Sequence, residues 1–235
     1  VRVLTYGIKK DADVMAQNVE FTTDGATFTL KTKNECFSVK LHMNGMFSVY
    51  NVLAALTVAI TQGFDVKDAA EGLANVKGVA GRFEIVHKKP MVIVDYAHTP
   101  DGLKNVLKAG REITPEGANL ICLFGCGGDR DATKRPKMAA IAEELSDKVV
   151  VTSDNPRSEN PDQIIADIMA GFKSVDTDKV VVEPDRGSAI ALLKNISNEN
   201  DVVIIAGKGH EDYQILKDKT IHFDDREEAA KVFGK

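Results

Sequence analysis

Residues 120–153 read LICLFGCGGDRDATKRPKMAAIAEELSDKVVVTS, and this stretch contains the pattern that decides the fold. The apolar run Leu120–Phe124 predicts a buried strand, residues 136–145 predict a helix, and Val149–Thr152 predicts the next strand. Short apolar strands that alternate with helices indicate βαβ units, which build a parallel sheet covered on both faces. The stretch therefore predicts a doubly wound α/β fold.

The same alternation continues over the second part of the chain, from about residue 82 onward. Because βαβ crossovers are right-handed, we expect these units to form one Rossmann-like domain with a mostly parallel sheet. Thr220–Phe223 is expected to add an edge strand. The other predicted strands are Val92–Tyr96, Val180–Glu183 and Val202–Ala206, and the other predicted helices are 102–113, 161–172, 187–196 and 226–233.

The first part of the chain has a different pattern, typical of part of a mixed α/β domain. Asp24-Gly25 separates two β-type runs and predicts a hairpin. We expect two domains, 1–80 and 81–235, and because Val1 lies within a predicted strand we expect the chain to begin inside a longer protein. The predicted elements are strands at Val1–Tyr6, Val19–Thr22, Ala26–Thr32 and Phe37–Met43, a largely buried helix at Val49–Gln62 capped by Ser48, and a short amphipathic helix at Val66–Asn75.

The composition is that of an ordinary globular protein, with 43% hydrophobic and 28% charged residues and a net charge of −5. Acidic and basic residues are interleaved, which argues against a nucleic-acid-binding face. The cysteines Cys36, Cys122 and Cys126 lack CxxC spacing, so neither a zinc site nor a disulfide framework is indicated. No apolar run approaches the roughly 20 residues that a membrane-spanning helix needs. We expect a cytoplasmic monomer without nucleic-acid or membrane partners.

The unusual polar residues each follow directly after a predicted strand. Ligands of an open parallel sheet bind outside the carboxyl ends of its strands, so we expect these loops to open onto one rim and form the site. The loops are Asp95–Thr99 (DYAHT), Gly125–Asp131 (GCGGDRD), Ser153–Arg157 (SDNPR), Pro184–Arg186 (PDR) and Gly207–Glu211 (GKGHE).

The loop Gly125–Asp131 has the features of an anion site. Consecutive glycines let backbone amides approach an anion, and the N-terminus of a helix at Pro136 favours negative charge. Arg130 offers a fork of donors that suits a carboxylate or phosphate. The alternative is a tight turn with a surface arginine. A GxGxxG fingerprint would need Gly at position 130, and the chain contains no GxxxxGK[ST] phosphate-binding string.

The loops Ser153–Arg157 and Gly207–Glu211 carry further candidates for ligand binding. Asn155-Pro156 is a turn former, but no structural duty is apparent for Asp154 or Arg157, so we expect both to face the rim. Glu211 is an acidic acceptor that suits an ammonium group.

The histidines and Cys126 have simpler interpretations. His98 lies in the short loop ahead of a helix that Thr99 caps. His210 is interpreted as an orienting or packing residue, because no second metal ligand lies at suitable spacing. Cys126 has no His or Asp partner in the sequence that would mark it as a nucleophile.

Four strings in this order resemble the Mur ligases, ATP-dependent enzymes that add amino acids to the peptide of the bacterial cell-wall precursor. The resemblance is greatest to the members that add the third residue, meso-diaminopimelate. It covers the whole chain, from the second half of the central domain to the C-terminus. The strings are DYAHTPD (95–101), FGCGGDRD (124–131) followed by KRP (134–136), DNPR (154–157) and AGKGHEDYQ (206–214).

The resemblance implies that domain 81–235 binds the incoming amino acid and that domain 1–80 is the remainder of the ATP-binding central domain. Meso-diaminopimelate has an ammonium and a carboxylate at each end, which suits arginine forks and an acidic acceptor. A lysine ligand would leave Arg157 without a partner, at a cost of roughly 2–5 kcal/mol, so Arg157 favours diaminopimelate. The implied amino-acid-binding residues are Arg130, Asp154, Asn155, Pro156, Arg157, Gly207 and Glu211; the implied ATP-binding residues are Asn51, Arg82 and Asp95; candidates for supporting roles are His98, Lys208 and His210.

The implied reaction converts the D-glutamyl carboxylate of UDP-N-acetylmuramoyl-L-alanyl-D-glutamate to an acyl phosphate, which the amine of the third residue attacks. Such a reaction needs ATP, Mg²⁺ and accurate positioning. The family's phosphate-binding loop, magnesium-binding carboxylate, modified lysine and UDP-binding domain are expected upstream of Val1. We therefore assign no catalytic or metal-binding residue within the chain and expect it not to turn over ATP alone.

Three alternatives stay open at the level of the sequence. The first is another ligase of the same family, above all one that adds lysine. The second is a nucleotide-dependent oxidoreductase, which the glycines Gly125 and Gly127 suggest and Arg130 disfavours. The third is a non-catalytic amino-acid-binding module that uses the same rim.

Overall fold

The computed structural model describes residues 3–22, 24–173 and 178–234. The chain divides into two compact units, unit 1 (Val1–Gly78) and unit 2 (Val79–Lys235). This division lies two residues before the 80/81 boundary expected from the sequence. Among the described residues, no helix has both the length and the apolar character that crossing a membrane requires.

The described residues of unit 1 form a four-stranded sheet and two helices. Buried side chains from the sheet and the helices, among them Phe28, Leu30, Leu53 and Leu56, form its core, and each of these four is at most 2% exposed. The elements are β1 (Tyr6–Gly7), β2 (Val14–Thr22), β3 (Gly25–Lys31), β4 (Cys36–Leu41), α1 (Met46–Thr61) and α2 (Val66–Ala74).

The sheet of unit 1 has the order β1-β2-β3-β4, with β1 parallel to β2 and the other neighbours antiparallel. The predicted hairpin between β2 and β3 is confirmed. Gly25 begins β3 with a φ of +133°, and a Cβ there would lie 1.9 Å from the carbonyl oxygen of Leu41. Only glycine meets both requirements at this position.

Several boundaries predicted for unit 1 were wrong. Strand β2 begins at Val14 rather than Val19, and β1 is confined to Tyr6–Gly7, while the first two residues of the predicted strand lie outside the described residues. Helix α1 begins two residues before Ser48, whose hydroxyl donates to the carbonyl of Asn44 (2.7 Å) instead of capping the helix. Helix α1 also buries one face only.

The described residues of unit 2 form a six-stranded sheet, a separate two-stranded hairpin and five helices. Its elements are β5 (Glu84–Lys88), β6 (Met91–Asp95), α3 (Pro100–Ile113), β7 (Leu120–Phe124), α4 (Lys134–Leu145), β8 (Lys148–Val151), α5 (Pro161–Met169), β9 (Val180–Val182), α6 (Arg186–Ile196), β10 (Val202–Ala206), β11 (Tyr213–Leu216), β12 (Lys219–His222) and α7 (Asp225–Phe233).

The large sheet of unit 2 has the order β5-β6-β10-β7-β8-β9. Five neighbouring strands, β6, β10, β7, β8 and β9, are mutually parallel. Strand β5 lies at one edge and pairs antiparallel with β6. Val203 and Ile205 of β10 pack against the face that α6 and α7 cover. Ile204, which points to the opposite face, approaches Gly110 of α3. Helices therefore cover both faces, and the predicted doubly wound α/β fold is confirmed.

Two predictions for unit 2 were wrong. Thr220–Phe223 does not supply the edge of the large sheet, because β12 pairs with β11 in the separate hairpin. The edge is β5, which the sequence pattern did not reveal. By contrast, the predicted helix cap at Thr99 is confirmed, since its side chain accepts a hydrogen bond from the amide of Gly102. Asn160 caps α5 in the same way, by accepting from the amide of Asp162.

Candidate functional site

The polar loops of unit 2 lie at one rim of the large sheet. Each loop follows one of the mutually parallel strands, whose carboxyl ends all meet at the same edge. The expectation of a common rim is therefore confirmed for Asp95–Thr99, Gly125–Asp131, Ser153–Arg157, Pro184–Arg186 and Gly207–Glu211.

The loops after β7 and β8 are in direct backbone contact. The amide of Gly128 donates to the carbonyl of Asn155 (2.9 Å). A Cβ at Gly128 would lie 2.0 Å from the carbonyl oxygen of Pro156, and one at Gly125 would lie 2.3 Å from that of Thr152. The glycines thus allow two loops to join. The expectation that they leave backbone amides free for an anion was wrong for Gly128.

Arg130 and Arg157 extend from these joined loops. Arg130 is exposed, and its guanidinium donates to the carbonyl of Asp129 (2.9 Å). Arg157 is half-buried, and its Nη1 donates to the carbonyls of Gly128 (2.9 Å) and Asn155 (3.4 Å). Within the described residues, both of these bonds from the Arg157 guanidinium come from Nη1. Its other two nitrogens, Nε and Nη2, can therefore donate to a ligand.

A buried polar network connects the loop after β8 with the loop after β10. The fully buried Nζ of Lys208 lies 3.2 Å from Oδ1 of Asp154, 3.1 Å from Oδ1 of Asn155 and 2.7 Å from the carbonyl of Tyr213. Nδ2 of Asn155 donates to Oε2 of Glu211 (3.0 Å). Burial lowers the pKa of Lys208, although Asp154 opposes this shift. The expectation that Asp154 has no structural duty was wrong, because it pairs with Lys208.

A second buried ion pair lies at the start of α6. Nε and Nη2 of Arg186 each donate to Asp225 over 2.7 Å, and both side chains are fully buried. The guanidinium also donates to the carbonyls of Ser153 (3.3 Å) and Ala206 (3.0 Å), so it joins the ends of β8 and β10. Nothing local in the sequence marks this pair, since its members are 39 residues apart.

A third buried cation, Arg135, is linked to the loop Gly125–Asp131 through Glu159. Arg135, which is 2% exposed, pairs with Glu159 and Asp167 at 2.8 Å each. Glu159 in turn accepts a hydrogen bond from the amide of Asp129. The local sequence does not reveal this role of Arg135, because its acidic partners lie on another loop and another helix.

Asp95 has a well-defined local role at the end of β6. Its carboxylate accepts hydrogen bonds from the amides of Phe83 and Ala97, both 2.8 Å long. Burial raises the pKa of Asp95, although both hydrogen bonds oppose the shift. Asp95 thus caps the end of the strand. Asn51 is exposed on α1 of unit 1. The roles of Asp95 and Asn51 in ATP binding stay predictions.

An aromatic cluster lies beside the loop after β10. The guanidinium of Arg82 stacks 4.6 Å from the centre of the Tyr96 ring. The imidazoles of His98 and His210 lie 4.5 Å and 5.1 Å from the same ring. Nζ of Lys134 donates to the carbonyl of His98 (2.7 Å). The exposed Arg82 on the half-buried Tyr96 ring offers a contact surface for a nucleotide.

Neither nucleophilic nor metal chemistry is evident at this rim. Burial raises the pKa of the Cys126 thiol to about 12, so the thiolate is not available near neutral pH. Across residues 3–22, 24–173 and 178–234, no group of three or more His, Cys, Asp or Glu side chains could hold a metal ion.

Two family models match the chain. Residues 81–209 match the model described as Mur ligase, glutamate ligase domain, and residues 1–59 match the Mur ligase middle domain. The Clostridium botulinum protein named UDP-N-acetylmuramoyl-L-alanyl-D-glutamate--2,6-diaminopimelate ligase is 46% identical over 95% of this chain and 46% of its own length. The protein of that name from Halalkalibacterium halodurans is 48% identical over 96% of this chain and 46% of its own length. The chain thus spans about half the length of these relatives.

Solved structures agree with these matches. A structure of a protein named UDP-N-acetylmuramoyl-L-alanyl-D-glutamate--2,6-diaminopimelate ligase is 37% identical, with a TM-score of 0.71 over 98% of this chain and 47% of that chain. Folylpolyglutamate synthase of Mycobacterium tuberculosis, at 21% identity, has a TM-score of 0.70 over 96% of this chain and 49% of its own, which shows a shared fold. The glutamate ligase model alone covers more than half of the residues. The chain therefore belongs to the Mur ligase family.

Proposed function

We propose that the chain is part of an ATP-dependent ligase that adds meso-diaminopimelate to UDP-N-acetylmuramoyl-L-alanyl-D-glutamate during peptidoglycan precursor synthesis. The observation that carries the proposal is the rim of unit 2, where two arginine-bearing loops meet a buried network that ends at Glu211. The names of the relatives support the same substrate.

The charges of the rim suit an amino acid with two charged ends. Arg157 keeps donors available for a carboxylate, and Arg130 is exposed on the adjoining loop. Glu211 and Asp154 supply acidic oxygens for an ammonium group. Gly207, next to Asp154, has a φ of +123°, a backbone conformation that residues with a side chain rarely adopt. We propose that these residues, with Asn155 and Pro156, hold the amino acid.

The preference for diaminopimelate over lysine rests on Arg157. Lysine lacks the distal carboxylate, so its binding would enclose the guanidinium without an anionic partner. Truncating one partner of a buried charged pair typically costs about 2–5 kcal/mol. We propose that this cost selects the two-headed amino acid, and that a lysine-adding ligase would lack this arginine.

For the nucleotide, we propose that Arg82 and the ring of Tyr96 provide one contact, with Asn51 and Asp95 contributing others. ATP would phosphorylate the D-glutamyl carboxylate and leave as ADP, and the amine of the bound amino acid would then attack the acyl carbon, displacing phosphate and losing a proton. The role of the described residues in this reaction is to bind, orient and neutralise charge. Mg²⁺ is proposed as a cofactor of the whole enzyme, with no ligand assigned in this chain.

The proposal is tested with the full-length gene product. It is incubated with ATP, Mg²⁺, the UDP-linked dipeptide and either meso-diaminopimelate or L-lysine, and the nucleotide-linked tripeptide is measured by mass spectrometry. We expect efficient product formation with diaminopimelate only. Equal rates with lysine would favour the lysine-adding alternative, and absence of product with either amino acid would remove the proposed activity.

The isolated chain of 235 residues provides a second test. It contains no GxxxxGK[ST] string, so we expect no ATP-dependent ligation by this chain alone. Measurable product would contradict that expectation. For the whole enzyme we propose a cytoplasmic location and a monomeric state, which cell fractionation and light scattering would check.

A further inference from the structure

We infer that Lys208 is a positioning residue for amino-acid binding, which fixes the side chains of Asp154 and Asn155 and, through Asn155, orients Glu211. This inference rests on the proposed function, because it assigns a task to a residue of the same site. Lys208 itself is expected to make no contact with the amino acid.

Lys208 is enclosed by oxygen atoms of the protein. The side chain is fully buried, and an ammonium group has three hydrogen atoms to donate. Within the described residues, three oxygen atoms lie within 3.2 Å of Nζ: Oδ1 of Asp154, Oδ1 of Asn155 and the carbonyl oxygen of Tyr213. Nζ donates hydrogen bonds to Asn155 and Tyr213 and forms an ion pair with Asp154, and because the side chain is fully buried we expect it to act on a ligand through these partners.

Asn155 transmits the position of Lys208 to Glu211. Oδ1 of Asn155 accepts hydrogen bonds from Lys208 (3.1 Å) and from the amide of Ile215 (2.9 Å). Reversal of the amide would place its NH₂ group against both donors, so only one orientation is compatible with them. In that orientation Nδ2 faces Oε2 of Glu211 at 3.0 Å. Lys208 thus helps to fix which way the Glu211 carboxylate points.

The charge of Lys208 has a second effect. Its ammonium lies 3.2 Å from the carboxylate of Asp154 and 3.9 Å from that of Glu211. The neighbouring buried cation, Arg186, is already engaged in two hydrogen bonds with Asp225. Without Lys208, the two carboxylates would repel each other and Asp154 would lose its direct counter-ion. The carboxylates of Asp154 and Glu211, which are proposed to accept from the ligand ammonium, would then be displaced.

The test compares Lys208→Met with Lys148→Met in the full-length ligase. Lys148 is a matched control, because it donates one hydrogen bond to the carbonyl of Ile196 (2.9 Å) from the first residue of β8, at the sheet edge opposite the rim. We expect Lys208→Met to raise the KM for diaminopimelate about 30-fold, with kcat and the KM for ATP changed less than about threefold. Lys148→Met should leave all three constants unchanged.

A double-mutant cycle distinguishes positioning from general destabilisation. Because Lys208 acts on Glu211 through Asn155 but on Asp154 directly, Lys208→Met should raise the KM by a clearly smaller factor when it is added to Asn155→Ala than when it is made alone. Full additivity, an unchanged KM for diaminopimelate, or equal losses for ATP and diaminopimelate would each overturn the inference. If Lys208→Met does not fold, Lys208→Gln replaces it, and failure of both variants to fold would assign Lys208 to folding and refute the positioning role. If the unmodified enzyme does not ligate diaminopimelate, the proposed function itself fails.

Discussion

Substitution of Arg157 by alanine should remove most of the selectivity for diaminopimelate over lysine. The guanidinium is half-buried, and the two bonds from Nη1 to the carbonyls of Gly128 and Asn155 hold it at the junction of two loops. A buried guanidinium deprived of its carboxylate costs about 2–5 kcal/mol, and the partial exposure of Arg157 favours the lower limit. About 2 kcal/mol corresponds to a roughly 30-fold loss in the ratio of kcat/KM values.

A competition assay measures this ratio directly. Full-length enzyme receives equal concentrations of the two amino acids, and mass spectrometry gives the ratio of the two tripeptide products. Because Arg157 also joins the loops, its loss should lower both rates, but the ratio cancels this shared effect. Arg111→Ala is the control, since Arg111 forms an exposed ion pair with Asp147 (2.8 Å) and should leave the ratio unchanged. An unaltered product ratio for Arg157→Ala would refute the assigned contact.

Other predictions concern the isolated chain and its loops. Arg186→Met should lower the free energy of unfolding by about 3–5 kcal/mol in urea denaturation, because it leaves the fully buried Asp225 without its counter-ion, and a loss below about 1 kcal/mol would contradict this. Gly128→Ala should lower the melting temperature, because the added Cβ would lie 2.0 Å from the carbonyl oxygen of Pro156. Gly72→Ala is the opposite case: the Cβ would enter open space within α2, so the exchange should stabilise the chain by up to about 1 kcal/mol. Cys36 is exposed and should react with a thiol reagent at pH 8. Cys122 and Cys126 are buried, and burial raises the pKa of each thiol to about 12, so both should react only in denaturant. Early labelling of all three cysteines would contradict their burial.

The parallel strands of unit 2 were predictable because their signal is local. A strand covered on both faces must be apolar throughout, and Leu120–Phe124 and Val202–Ala206 meet that requirement within five residues. Strand β5 (Glu84–Lys88) has no such run, since charged residues begin and end it. It is a strand because β6 offers an unpaired edge, which the local sequence does not reveal. Similarly, the β-type pattern at Thr220–Phe223 indicated a strand without indicating its partner.

The location of the rim was predictable, but the contacts that support it were not. Loops after parallel strands must share one edge, so the positions of Arg130, Arg157 and Glu211 followed from the order of the elements. The network of Lys208 joins residues more than fifty positions apart, and its members are chemically similar to ordinary surface residues. Asp154 was expected to have no structural partner because its cation lies on a different loop.

Burial divides the cations of the rim into two groups with different tasks. Arg135, Lys208 and Arg186 are each at most 2% exposed, and each joins acidic or carbonyl oxygens from different segments of the chain. Arg130 and Arg157 are partly or fully accessible and have fewer protein partners. A charge that is already paired and desolvated has little left to offer a ligand, whereas its loss displaces the groups around it. Variants of the buried cations should therefore change the geometry of binding, while variants of the accessible arginines should change which ligand is preferred.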